Sequence, residues 1–214
     1  MNTPSTTQDI GALMRAAPVI PVIVIDDVKQ AVPLAEALVK GGLPVLEVTL
    51  RTDAALDAIA AMKTVEGAIV GAGTVTGQAD LAAALDAGSE FIVSPGLTEP
   101  LAKAAIREGV PFLPGVSSAG DIMRGLDLGL DHFKFFPAMA SGGLPALKAL
   151  AAPFHACKFC PTGGIGPDNV EEWLAFDPVL CVGGSWVASL TSAAGSVDYI
   201  AIAETARRAS MLGK

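Results

Sequence analysis

Val45-Leu46-Glu47-Val48-Thr49-Leu50-Arg51 alternates apolar and polar residues with a period of two. Successive side chains of a strand point to opposite faces. Leu46, Val48 and Leu50 therefore share one face, and Glu47, Thr49 and Arg51 share the other. Such a strand belongs in a sheet whose apolar side packs on helices and whose polar side points inward. Inward charge is costly unless it is paired or used.

Outward from this segment, short β-rich runs alternate with alanine-rich helical ones. The pattern predicts eight strands: Val19–Ile25, Pro44–Leu50, Ala68–Gly73, Phe91–Ser94, Pro111–Pro114, His132–Phe136, Cys157–Pro161 and Val179–Val182. Helices are expected over Val28–Lys40, Asp53–Met62, Gln78–Ala87, Glu99–Glu108, Ala119–Leu128, Gly143–Ala151 and Asn169–Ala175. A short helix, Gln8–Ala16, precedes the first strand, and Asp198–Leu212 closes the chain. Thr52-Asp53, Thr98, Ser118 and Asp168 are candidate N-caps. Gly41-Gly42, Gly88, Gly109 and Gly129 stand where helices should stop. Eight βα units in about 200 residues is the arithmetic of one α/β domain, a (β/α)8 TIM barrel over residues 1–214. An open doubly wound sheet is the alternative, but no G-x-G-x-x-G follows the first strand.

The composition fits a folded chain with a sizeable core: 214 residues, 51% hydrophobic and 17% charged. So low a charged fraction suggests that subunit contacts cover part of the surface. A net charge of −8 argues against nucleic acid or an anionic membrane as partner, though not against a small anion at a local site. Residues 1–9 lack a basic leader, and the apolar run near residues 16–25 is too short to span a membrane and contains two prolines. The expectation is a cytoplasmic protein. Cys157 and Cys160 have C-x-x-C spacing, but on a strand residues three apart face opposite ways and cannot share a metal. No metal site is expected. Neither His132 nor His155 has ligand spacing, and Trp173 and Trp186 read as packing.

Lys134 lies in His132-Phe133-Lys134-Phe135-Phe136-Pro137. A lysine among phenylalanines can lay its stem on apolar surface and reach water with its head. If it is buried, its environment favours the free amine, which attacks ketones to form a Schiff base. Glu47 and Arg51 share the inward face of the second strand. A plain Glu47–Lys134 ion pair filling the interior is the alternative, although such pairs are weak stabilisers. Gly163-Gly164 and Gly183-Gly184-Ser185 follow the last two strands, where barrels commonly hold a phosphate. Gly71 and Gly73 are read as thinning the wall to admit substrate, and Thr74 offers a hydroxyl.

These segments, with Val70-Gly71-Ala72-Gly73-Thr74-Val75, Ser94-Pro95-Gly96-Leu97-Thr98 and Phe159-Cys160-Pro161-Thr162-Gly163-Gly164-Ile165, resemble in order those of the 2-keto-3-deoxy-6-phosphogluconate aldolases, the KDPG/KHG class I aldolase family. The resemblance implies a homotrimer of (β/α)8 barrels with no metal and no cofactor. It implies Lys134 as Schiff-base lysine and Glu47 as general acid/base. Arg51 and Thr74 would hold the pyruvate carboxylate, Pro95 and Phe136 would line the substrate site, and Thr162 would meet substrate hydroxyls. Gly163, Gly164, Gly184 and Ser185 would hold the phosphate. The implied substrates are a phosphorylated keto acid and pyruvate, in the Entner–Doudoroff pathway. Members often act on 4-hydroxy-2-oxoglutarate, and a sister group acts on the galactonate epimer. A metal-free phosphosugar isomerase or a phosphosugar sensor also fits the glycine loops, but leaves Lys134 unexplained.

Overall fold

The computed structural model describes residues 9–188 and 197–213. Its strands are β1 (Val19–Ile23), β2 (Val45–Thr49), β3 (Ile69–Gly73), β4 (Ile92–Val93), β5 (Phe112–Leu113), β6 (Gly115–Val116), β7 (His132–Phe135), β8 (Lys158–Pro161) and β9 (Val182–Gly184). The helices are α1 (Ile10–Arg15), α2 (Ala31–Lys40), α3 (Ala55–Met62), α4 (Gln78–Asp86), α5 (Glu99–Glu108), α6 (Ala119–Asp127), α7 (Gly143–Ala151), α8 (Val170–Leu174) and α9 (Tyr199–Ala209). The start of the expected helix Gln8–Ala16 lies outside the described residues. Among them, no helix is long and apolar enough to cross a membrane.

All strand pairs are parallel. The six-stranded order is β5-β4-β3-β2-β1-β9, and the three-stranded order is β6-β7-β8. The result is an α/β fold built on a curled parallel sheet. The sequence reading expected one fifth strand over Pro111–Pro114; instead two short strands flank Pro114. Proline has no N–H for a ladder, but the Pro114 carbonyl still accepts from the Lys134 N–H at 2.8 Å. The last strand also differs. Val179 only bridges Phe159, and pairing with β1 starts at Val182 against Val19.

Helix starts follow local chemistry. Ser118 is the expected N-cap of α6 and makes a capping box: its hydroxyl accepts from the Asp121 N–H, and the Asp121 carboxylate accepts from the Ser118 N–H. Thr98 caps α5 without a side-chain bond. Ala54 and Asn169, not Thr52-Asp53 and Asp168, stand at the N-caps of α3 and α8. The expected helix Val28–Lys40 divides into a 3-10 turn, Val28–Gln30, followed by α2. The restart leaves Pro33 in the first turn of α2, where a missing N–H costs nothing.

Alternation along the strands sorts two cores. Leu46, Val48, Val70, Ala72, Ile92, Phe112, Phe133, Phe135 and Phe159 face the helices. Ile20, Val45, Phe91, Val93, Leu113, Cys160 and Cys181 line the concave face, which α1 covers with Leu13 and Met14. Phe133 and Phe135 thus flank Lys134 in sequence but pack outward, against Phe159 and Trp173 at ring separations of 6.2 and 6.3 Å. Cys157 and Cys160 fall in different cores, as their spacing requires.

Candidate active site

Lys134 is the third residue of β7, so it points to the concave face between its two outward phenylalanines. Glu47 reaches the same space from β2, in the other sheet. The Lys134 Nζ donates to Glu47 Oε1 at 2.9 Å, and the residues are 5% and 3% exposed. Among the described residues these are the only buried charged side chains. Burial on this scale demands a partner, and each is the other's. The Phe136 ring lies beside the pair, its centroid 5.4 Å from Nζ.

Thr49, two residues beyond Glu47 on the same face, is buried and donates to the Ile23 carbonyl at 2.9 Å. It ties β2 to β1 at the level of the ion pair. Arg51, read from the sequence as the next inward residue, is not on the alternation. β2 ends at Thr49, the chain turns, and Arg51 is exposed in that turn. Thr74 leaves β3 beside it, since Thr49 is in register with Gly73. Thr74 adopts φ 59°, rare for a residue with a branched Cβ. Pro95 follows β4 and is exposed; its carbonyl lies where a side chain at Gly115 would stand.

On the opposite side Thr162 follows β8, buried, and pairs with Gly183 in an isolated parallel bridge. That bridge brings Gly163-Gly164 and Gly184-Ser185 to the same edge of neighbouring chain segments. Gly163 and Gly164 have φ values of 105° and 77°, open to glycine but not to most residues. Gly183 and Gly184 belong to strand β9, not to the loop after it; the Thr162 and Trp186 side chains occupy the space their Cβ atoms would take. Ser185 is exposed at the strand's end. Gly71 and Gly73 do not thin the wall either, because Phe91 and Glu47 fill the space beside them.

Cys160 and Cys181 sit below the ion pair. Burial first, then the Cys160 sulfur and the Glu47 carboxylate, push the Cys181 thiol well above the ordinary range. Such a thiol stays protonated and inert. His132 lies at the start of β7 and contacts Asp131 at 2.6 Å; His155 is exposed in the segment between α7 and β8. Neither histidine joins the site.

The arrangement is an amine beside a carboxylate on a dry face, an arginine and a threonine at one edge, and glycine-rich backbone at the other. It suits covalent capture of a ketone with proton transfer at the neighbouring carbon. Comparison with known proteins agrees. The family described as KDPG and KHG aldolase matches residues 10–204. The chain is 56% identical over 203 residues to the 2-dehydro-3-deoxy-phosphogluconate aldolase of Zymomonas mobilis, covering 95% of this chain and 96% of that one. It is 52% identical to the KHG/KDPG aldolase of Escherichia coli K12, over 92% of this chain and 93% of that one. Among solved structures, the KDPG aldolase of Legionella pneumophila, with pyruvate captured as a covalent carbinolamine intermediate, superposes with a TM-score of 0.90. That match has 45% identity and covers 95% of this chain and 98% of that one. The chain belongs to the KDPG and KHG aldolase family.

Proposed function

We propose that this protein is a class I aldolase, an aldehyde-lyase that cleaves 2-keto-3-deoxy-6-phosphogluconate to pyruvate and glyceraldehyde 3-phosphate in the Entner–Doudoroff pathway. Cleavage of 4-hydroxy-2-oxoglutarate to pyruvate and glyoxylate is the second activity. The observation that carries the reading is the buried Lys134–Glu47 contact at 2.9 Å: an amine and an acid/base share one reacting centre.

The free amine of Lys134 adds to the C2 ketone, and water leaves to give an iminium. This positive nitrogen is the electron sink, so the scheme uses no metal and no cofactor. Glu47 takes the C4 hydroxyl proton as the C3–C4 bond breaks. The bond's electron pair becomes a neutral enamine, and the aldehyde departs. Glu47 then returns the proton to C3, and hydrolysis frees pyruvate and the amine. Arg51 grips the carboxylate by parallel hydrogen bonds with help from Thr74. Pro95 and Phe136 wall the three-carbon unit, and Thr162 meets the hydroxyls. The phosphate lies on the backbone of Gly163, Gly164, Gly184 and Ser185. The galactonate epimer is the competing substrate, and turnover of all three compounds by one preparation ranks them.

The curled sheet closes, in this reading, into a single-domain (β/α)8 barrel over the whole chain. The chain's continuity from β5 to β6 joins the sheets on one side. The bridges Phe159–Val179 and Thr162–Gly183 support a join on the other. The barrels associate as a cytoplasmic homotrimer. The low charged fraction and exposed Ile106, Met123, Leu126 and Ile200 favour subunit contacts. Borohydride added with pyruvate tests the chemistry: a stable mass increase is expected on the peptide that contains Lys134. No adduct there would sink the proposal.

A further inference from the structure

Two glycines on β3 face the concave side, and a different side chain occupies the space beside each. A Cβ at Gly71 would lie 2.5 Å from the Phe91 ring. A Cβ at Gly73 would lie 2.2 Å from Glu47 Oε1, 2.7 Å from its Cγ and 2.8 Å from its Cδ. The obstructed Oε1 is the oxygen that accepts from Lys134. Gly73 does not have a positive φ, so its backbone suits any residue. The site needs a glycine there for space, not for conformation. Glu47 also has little freedom elsewhere: it is 3% exposed, and Val45 and Thr49 fill its own strand on either side.

We infer that Gly73 is a positioning residue of the reaction: its missing side chain lets the Glu47 carboxylate lie against β3 with Oε1 aimed at the Lys134 nitrogen. A methyl group at residue 73 evicts the carboxylate from that line while leaving Lys134, on the opposite side of the concave face, in place. A misplacement of about 1 Å in a proton-transfer group costs on the order of 100-fold in rate. The cost falls on proton transfer, not on capture of the ketone. This inference rests on the proposed aldolase chemistry and refines the role of Glu47.

The test measures two events separately in the purified full chain, with pyruvate as the probe. Borohydride trapping counts Lys134 adducts, and deuterium exchange of the pyruvate methyl group, normalised to trapped sites, reports Glu47. For Gly73→Ala, adducts form at pyruvate concentrations within about 3-fold of the parent's, while normalised exchange falls about 100-fold. In a Glu47→Gln background, Gly73→Ala adds less than about 3-fold, because both changes remove the same function. Exchange within about 3-fold of the parent in Gly73→Ala, or additive losses in the pair, would overturn the assignment. If Gly73→Ala does not fold, Glu47→Ala deletes the atoms that clash, and the double variant matches the cooperative melt of Glu47→Ala alone; failure to match it also overturns the assignment. Absence of any adduct in the parent chain is a separate result, which removes the aldolase reading itself.

Discussion

The concave face of the sheet has two levels with opposite chemistry. The lower level, made by Ile20, Val45, Phe91, Leu113, Cys160 and Cys181 over Leu13 and Met14 of α1, is apolar and buried. Two residues further along β2, Val45 gives way to Glu47. On β8, Cys160 gives way to Thr162. The same strands thus supply a core and, one pleat later, a polar site. Burial of each large apolar side chain contributes about 1.5–3 kcal/mol, whereas the Glu47–Lys134 pair contributes little net stability against its desolvation. The lower level holds the strands; the upper level uses the rigidity that results.

If the levels divide stability from chemistry, variants in each should fail differently. The largest expected effect is in the upper level. Glu47→Gln still traps pyruvate on Lys134, but cleavage slows by about 10²–10⁴-fold, the range for loss of a general acid/base; coupled measurement of pyruvate release checks it. In the lower level, Phe91→Ala costs about 3–5 kcal/mol of stability, read from urea unfolding. Its turnover per trapped lysine stays within about 2-fold of the parent, well below the 10-fold that each 1.4 kcal/mol of lost transition-state binding costs. Equal losses of stability and turnover would break the division. Arg51→Ala sharpens it at the rim. Loss of a charge-assisted hydrogen bond is worth about 1.5–3 kcal/mol, so the KM for pyruvate rises about 10- to 100-fold while kcat changes little.

Alternation made the two levels legible. Period two in Val45–Arg51 placed Glu47 on the inward face, and the same period turns Lys134 away from Phe133 and Phe135. Alternation also separated Cys157 from Cys160. It overran the strand's end: nothing in the sequence marks Thr49 as the last paired residue, and Arg51 lies in the turn after β2. It failed again at the glycines. Gly71, Gly73, Gly183 and Gly184 look like gaps or turns in a linear reading. In the fold they are strand residues beside Phe91, Glu47, Thr162 and Trp186, contacts that depend on register between strands. The break at Pro114 was visible as a residue that cannot donate, yet only pairing on both sides reveals two strands.

The smallest effect tests the thiol of the lower level. Burial favours the neutral form of a thiol, and that form is the inert one. Cys181, with its thiol pushed well above the ordinary range by burial, Cys160 and Glu47, should resist iodoacetamide at pH 8 until the chain unfolds. The same shift links to stability. A thiol that binds its proton more tightly when folded contributes fully below its unfolded pKa of about 8.5, and that contribution is lost as pH rises above it. Parent stability should therefore fall relative to Cys181→Ala above about pH 8.5, by at most about 1.4 kcal/mol per pH unit. Parallel urea-unfolding curves at pH 7.5 and 9.5 measure the difference. If the two proteins keep a constant gap, the thiol is not held protonated by the fold, and the lower level is less dry than its apolar lining implies.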